Sequence, residues 1–237
     1  MKDNELWEIA LSDISDEELQ TYFINARISI DLILKLESFI KENKYPIAVR
    51  SSSLLEDSQY QPLAGTYETI MLSNNSQSNK KRLNELIESI KIIYASTFKG
   101  EARTLLKNTA HRIEEEKMAI LIQEVVGIEH KSKRFYPTFS GVLQSINYYP
   151  VSYMKRNEGV SYLALGFGKT IADGEKCMRI SPKYPNILPQ FFSIKATLQN
   201  SQHEFYAMNL DSKKEKKYTL NKYSLGQAEA DGTLKWV

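Results

Sequence analysis

At 237 residues, with 42% hydrophobic and 25% charged side chains, the chain has the composition of an ordinary globular protein. It is long enough for one large core or two small ones. A net charge of +2 gives no electrostatic case for nucleic acid or an anionic membrane, and no apolar run approaches the roughly 18–20 residues of a spanning helix. One cysteine, Cys177, excludes an internal disulfide and a thiolate metal cluster. The acidic start, Met1 to Glu5, lacks a signal-type apolar core, so a cytoplasmic setting is expected.

Ser15-Asp16-Glu17-Glu18 is a capping-box pattern and predicts a helix running to about Ala26. Ile28, Leu32, Ile33, Leu36, Phe39 and Ile40 recur at helical spacing and predict a second helix ending near Asn43, broken by Tyr45-Pro46. Ile47 to Val49 and Tyr67 to Met71 read as short strands. After the polar loop Ser73 to Asn79, the spacing of Leu83, Leu86, Ile87, Ile90, Ile93, Tyr94 and Phe98 predicts a long amphipathic helix. A more polar helix is expected over Glu101 to Glu116.

The texture changes at Met118. Met118 to Val126 reads as a strand, with Thr138 to Ile146 as its expected partner across a basic loop, Gly127 to Pro137. Val160 to Leu165 and His203 to Met208 are further strands, and Asp211 to Lys217 a solvated turn. The expected fold class is α+β: a helix-rich part over residues 1–116, then a mainly antiparallel, sheet-rich part over 117–237.

Two segments carry chemistry. In the first, Ile47 to Val49 delivers Arg50 into Ser51-Ser52-Ser53, followed by Glu56-Asp57 and then Ala64-Gly65-Thr66-Tyr67-Glu68-Thr69. A guanidinium fork, hydroxyls and the amides of a tight turn suit phosphate oxygens. A strand end whose arginine pairs with Glu56 or Asp57 fits the same residues. In the second, Gly166-Phe167-Gly168-Lys169-Thr170-Ile171-Ala172-Asp173-Gly174 follows an apolar run. Its glycines permit a sharp turn with amides close to a ligand, and Lys169 adds a point charge. The spacing is neither a P-loop nor a dinucleotide fingerprint. His111, His130 and His203 have no metal-ligand spacing. Lys131-Ser132-Lys133-Arg134 reads as a solvated hairpin tip. Cys177 stands beside Lys176 and near Arg179, which favour a lowered thiol pKa, but no histidine neighbours it in sequence as a base.

Taken in order, these motifs resemble the nucleotide-binding domain of pyruvate phosphate dikinases and phosphoenolpyruvate synthases. That family shows Val-Arg-Ser-Ser-Ala, an acidic pair and Ala-Gly-Gln-x-[Glu/Asp]-Thr. Met118 to Val126 is similar to its Ala-Val-x-Val-Gln-x-Met-Val strand, with Gln123 at the glutamine; Ser140-Gly141-Val142 matches its Ser-Gly-Val. The 166–174 turn matches Gly-Leu-Gly-Glu-x-Val-Val-x-Gly in spacing. The resemblance covers residues 47–183 and implies an ATP-grasp fold, here partial, that binds ATP and Mg2+. It implies phosphoryl transfer to a histidine on a separate domain and on to a pyruvate-binding domain of the same full-length protein. By position, Arg50 is implied as the catalytic phosphate ligand, with Ser51, Gly65 and Thr66 as further donors. Gln123, Glu124 and Val126 border the adenine, and Gly166, Gly168 and Lys169 line the other wall.

Departures from the pattern are Thr66 for glutamine and Lys169 for glutamate. No Gly-Gly-Lys-Gly element precedes Arg50, and the segments carrying the family's metal-binding Glu and Gln do not occur. Magnesium ligands are therefore expected outside this chain, which is expected to be a catalytically silent piece of a larger protein. A nucleotide-sensing or interaction module without catalysis, or a related dikinase with another acceptor, stays open.

Overall fold

The computed structural model describes residues 4–53, 65, 67–107, 117–151, 153–211 and 220–235. These fall into two compact units, dividing between Val125 and Val126. The division comes later than the expected break at 116/117, and pairing in the first unit is the reason.

That unit begins with α1 (Leu6–Leu11), α2 (Asp16–Asn25) and α3 (Ile30–Glu42). The capping box at α2 forms as its sequence requires: Ser15 Oγ accepts from the Glu18 amide and the Glu18 carboxylate accepts from the Ser15 amide. Asp16, Glu17 and Glu18 place negative charge at the positive end of the helix dipole. Ser29 caps α3 through the Leu32 amide, and Pro46 cannot continue it. Strands β1 (Ile47–Ser53) and β2 (Thr69–Leu72), helices α4 (Asn79–Ser96) and α5 (Gly100–Lys107), and strand β3 (Met118–Glu124) complete the unit. Residues 108–116 of the expected polar helix lie outside the described residues.

The sheet order is β2-β1-β3, antiparallel throughout. β3 therefore does not pair with the segment after it, as the sequence suggested. It pairs along its whole length with β1, from Ile47↔Glu124 to Ser53↔Met118. α3 and α4 cover one sheet face: Leu36 and Ile40 of α3 and Leu86, Ile90, Ile92 and Ile93 of α4 bury against Ile47, Val49, Ile70 and Leu72. Each such aliphatic side chain contributes about 1.5–3 kcal/mol when fully buried. A smaller cluster joins α1 and α2 to the end of α4 through Leu6, Ala10, Leu19, Phe23, Ala95 and Phe98.

The second unit is built from shorter pieces. The segment expected to be a basic loop contains the hairpin β4 (Ile128–Glu129) and β5 (Arg134–Tyr136), turning through Lys133 at φ 63°. β6 (Ser140–Gln144) pairs with β7 (Val160–Ala164), from Ser140↔Ala164 to Gln144↔Val160, and β7 with β8 (Met178–Ile180). Helices α6 (Lys169–Ala172) and α7 (Ile194–Asn200) flank β8 in sequence; β9 (Glu204–Asn209), β10 (Asn221–Ser224) and α8 (Leu225–Ala230) follow. The larger sheet has the order β10-β9-β5-β4. Most of the turn expected at 211–217 lies outside the described residues.

Polar ties do much of the fastening here. The Asp231 carboxylate accepts from Arg134 Nε at 2.7 Å, Ser132 Oγ at 2.6 Å and Tyr136 Oη at 3.0 Å. Its side chain is only 2% exposed. Burial pushes this carboxyl up, but the hydrogen bonds from Arg134, Ser132 and Tyr136 outweigh it and hold the group below its ordinary range. Lys131 to Lys133 form the exposed hairpin turn that the sequence suggests, while the Ser132 hydroxyl and the half-buried Arg134 tie it to Asp231. In short, the architecture is α+β: helices dominate the first part and antiparallel sheets the second.

Candidate functional site

Strand alternation sorts the first motif into two faces. Directly paired residues share a face, so Arg50 lies with Thr69 and Leu121, and Ala48 with Gln123. Arg50, Leu121 and Gln123 are exposed on this face. Arg50 Nη1 donates to Gln123 Oε1 at 3.4 Å, a diagonal contact between neighbouring strands. The structure thus joins two residues that stand far apart in sequence. It separates two that are adjacent: Ser51 pairs with Ile120 on the core face and is 8% exposed, leaving Ser52 beside Arg50. Ser51's side chain is therefore turned away from the face that presents Arg50. Glu124, opposite Ile47, likewise falls on the other face from Gln123.

β3 is an outer strand of its sheet among the described residues, so every second set of its backbone groups points away from β1. Val125 continues the ladder by donating its amide to Pro46 O at 2.9 Å, and Val126, the next residue, is 80% exposed. Gly65 adopts φ +79°, which favours glycine, and an added Cβ there would meet nothing within 4 Å. Thr66, Glu56 and Asp57 lie outside the described residues.

In the second unit the glycine turn leaves β7 and opens α6. Gly166 sits at φ +77°, where a Cβ would come within 2.6 Å of Tyr206 O and 2.9 Å of a Phe205 ring carbon. Conformation and space both require glycine there. The Phe167 amide donates to the same Tyr206 carbonyl at 3.0 Å. Just before the turn, Gln202 clasps Leu165: its Oε1 accepts from the Leu165 amide at 2.9 Å and its Nε2 donates to the Leu165 carbonyl at 3.1 Å. Gly168 is the N-cap residue of α6.

Lys169 is about half exposed and pairs with Asp173 one turn on, Nζ to Oδ2 at 2.9 Å. Its ammonium also lies 5.5 Å from the centre of the Tyr206 ring. The charge that departs from the family pattern is thus locally offset. Lys222, opposite Tyr206 in the β9–β10 register, approaches the same ring at 5.2 Å and pairs with Glu175 at 2.7 Å. The hydrogen bond from Lys222 holds the Glu175 carboxyl low, assisted by the Tyr206 hydroxyl against the effect of burial. Sequence reading missed Tyr206, Glu175 and Lys222; Tyr206 stood in an expected strand, but only the strand pairing reveals its neighbours.

Burial pushes the Cys177 thiol up, so nearby Lys176 and Arg179 do not activate it. Arg179 is engaged with Asn147 Oδ1 at 2.7 Å and with the Tyr149 carbonyl. His130 stacks on Tyr136, and His203 Nε2 lies 3.1 Å from Leu198 O. Among the described residues no group of three or more His, Cys, Asp or Glu is placed to hold a metal ion, and no helix is long and apolar enough to cross a membrane.

An exposed arginine–glutamine pair on a sheet face and a glycine turn anchored on a tyrosine are the two assemblies that the motifs produce. The sequence matches the family described as pyruvate phosphate dikinase, AMP/ATP-binding domain, over residues 5–235, and the chain belongs to that family. Among its relatives is a Bacillus subtilis (strain 168) protein described as an uncharacterized phosphotransferase, YvkC. The two are 27% identical over 213 residues, covering 89% of this chain and 21% of that protein. The chain thus spans about a fifth of the length of this relative. Both findings support an ATP-binding role within a phosphotransferase family.

Proposed function

We propose that the chain is the ATP-binding portion of a phosphotransferase of the phosphoenolpyruvate synthase and pyruvate phosphate dikinase type. The parent transfers a phosphoryl group from ATP to a histidine on a separate domain, and from there to pyruvate. The single observation that supports this most is the exposed Arg50 held by Gln123, two family motif positions meeting on one face. Arg50 contacts the ATP phosphates with a permanent charge and directional N–H groups. Gly65 and Thr66 add donors at the turn. Glu124 of β3 and Val126 just beyond it offer backbone groups to the adenine, and Gln123 borders it. Gly166, Gly168 and Lys169, at the family's glycine-turn positions, are assigned to nucleotide binding as well. Such a site suits phosphoryl transfer, where positioning and charge neutralisation carry most of the catalysis. Ser51 takes part through its backbone, since its side chain faces the core.

The family pattern, and not the structure, assigns the magnesium ligands to residues outside this chain. The isolated chain should then transfer no phosphate, and the parent works in the cytoplasm. Labelled ATP given to the full-length parent with magnesium tests the activity: an acid-labile phosphohistidine is expected, and its absence would overturn the enzymatic reading. Arg50→Ala in the parent should weaken ATP binding by roughly 1.5–3 kcal/mol, the scale of a hydrogen bond to a charged group, as read by calorimetry. A non-catalytic nucleotide-sensing module is the second reading, and Lys169 in place of glutamate is what favours it. The ion pair to Asp173 reduces that support.

A further inference from the structure

We propose that Tyr206 is a positioning residue that clamps the glycine turn at both ends, resting on the reading of that turn as a nucleotide wall. Three contacts from one residue reach three points of the 166–175 segment. At its start, the Tyr206 carbonyl accepts from the Phe167 amide at 3.0 Å, and Gly166 packs against the same oxygen. At its middle, the Lys169 ammonium lies 5.5 Å from the Tyr206 ring centre. At its end, the Tyr206 hydroxyl donates to Glu175 Oε1 at 2.9 Å. Glu175 is itself tied back into the segment, its amide donating to Thr170 O at 2.9 Å. Lys222, directly opposite Tyr206 on β10, bonds the same carboxylate oxygen and completes the clamp.

The burial of Tyr206 gives these contacts their strength. The residue is only 7% exposed, and its hydroxyl bonds Glu175 in a partly buried setting, where such a bond is stronger than in open water. A glycine turn left to itself samples many conformations, and its amides reach a bound phosphate only in some of them. Fixing both ends holds the backbone of Gly166, Gly168 and Lys169 in one presentation. Lys169 and Asp173 cancel each other's charge, so this segment acts through its fixed shape and amides more than through net charge.

Tyr206→Phe separates the contacts, because it keeps the carbonyl and the ring and removes only the hydroxyl. Without nucleotide, amide hydrogen exchange at Asp173 and Glu175 should accelerate about tenfold, the effect of losing one charge-assisted hydrogen bond, while Phe167 exchange stays unchanged. Glu175→Gln, which retains an acceptor for the hydroxyl, should fall between wild type and Tyr206→Phe. In the full-length parent, ATP affinity should fall several-fold for Tyr206→Phe. Equal exchange rates in wild type and Tyr206→Phe would overturn the clamp, as would a general rise in exchange across β9 and β10. Wild-type parent that binds no ATP would overturn the nucleotide reading instead, and exchange in the free protein would still decide the clamp.

Discussion

The two units reach stability by different routes. The first wraps two long helices over one face of a three-stranded sheet, and its interior is a block of isoleucine, leucine and valine. In the second, strands of two to six residues bury an aromatic-rich interior around Phe135, Tyr136 and Phe205 and are fastened further by polar side chains such as Asp231, Gln202 and Glu175. An aliphatic core tolerates one poor contact because dispersion and burial are spread over many atoms. A polar hub is less forgiving, because losing one partner leaves the others buried without a match. The difference also sorts the candidate site. Arg50 and Gln123 stand on the exposed side of a rigid sheet, whereas the glycine turn depends on individual hydrogen bonds.

The largest expected break in this contrast is Asp231→Ala. Leaving Arg134 buried without its carboxylate should cost the second unit roughly 3–5 kcal/mol. Native-state hydrogen exchange should show the loss across residues 126–235 and leave 4–125 near wild type; equal loss in both would contradict separate fastening. Leu86→Ala is the mirror test. Leu86 is fully buried against the β1–β2 sheet, and its truncation should cost the first unit about 3 kcal/mol. Acid sharpens the comparison further. Because the folded Asp231 carboxyl titrates below its unfolded value near ~3.9, its contribution is complete above that value and is lost as pH falls through the folded pKa. Amide signals of 126–235 should weaken before those of 4–125 on acidification, and Asp231→Asn should abolish that lead. The smallest expected effect is Asp173→Asn. Removing an exposed ion pair should change stability by no more than about 0.5 kcal/mol, yet freeing Lys169 should tighten ATP binding in the parent about twofold. Weaker binding would show that Lys169 serves its turn and not the phosphates.

Local signals were read well. The Ser15–Glu18 box, the helical spacing of Leu83 to Phe98 and the breaker at Pro46 all act within a few residues, so their outcome is set by neighbours in sequence. The partner of β3 was not legible. Its apolar run says that it is a strand and not which strand it joins, and the nearer candidate lost to β1. The same gap hid the Arg50–Gln123 contact and the opposite facings of Arg50 and Ser51, both of which follow at once from register. In the second unit, strands of two or three residues such as β4 and β8 are too short for any period to emerge. The glycine turn was recognisable from its composition, while its anchor was not, because Tyr206 reaches the turn through long-range bonds to Phe167 and Glu175 that no spacing announces.

Gln202 has a consequence for behaviour in crowded solution. Its carboxamide offers Leu165 one donor and one acceptor, just as the peptide group of an adjoining strand would. The backbone beyond the last residue of β7 therefore finds its hydrogen-bonding demand met by a side chain of the same molecule. A stray extended segment from another copy has no open rung to occupy at Leu165, where the chain runs past the pairing of β7 with β6 and β8.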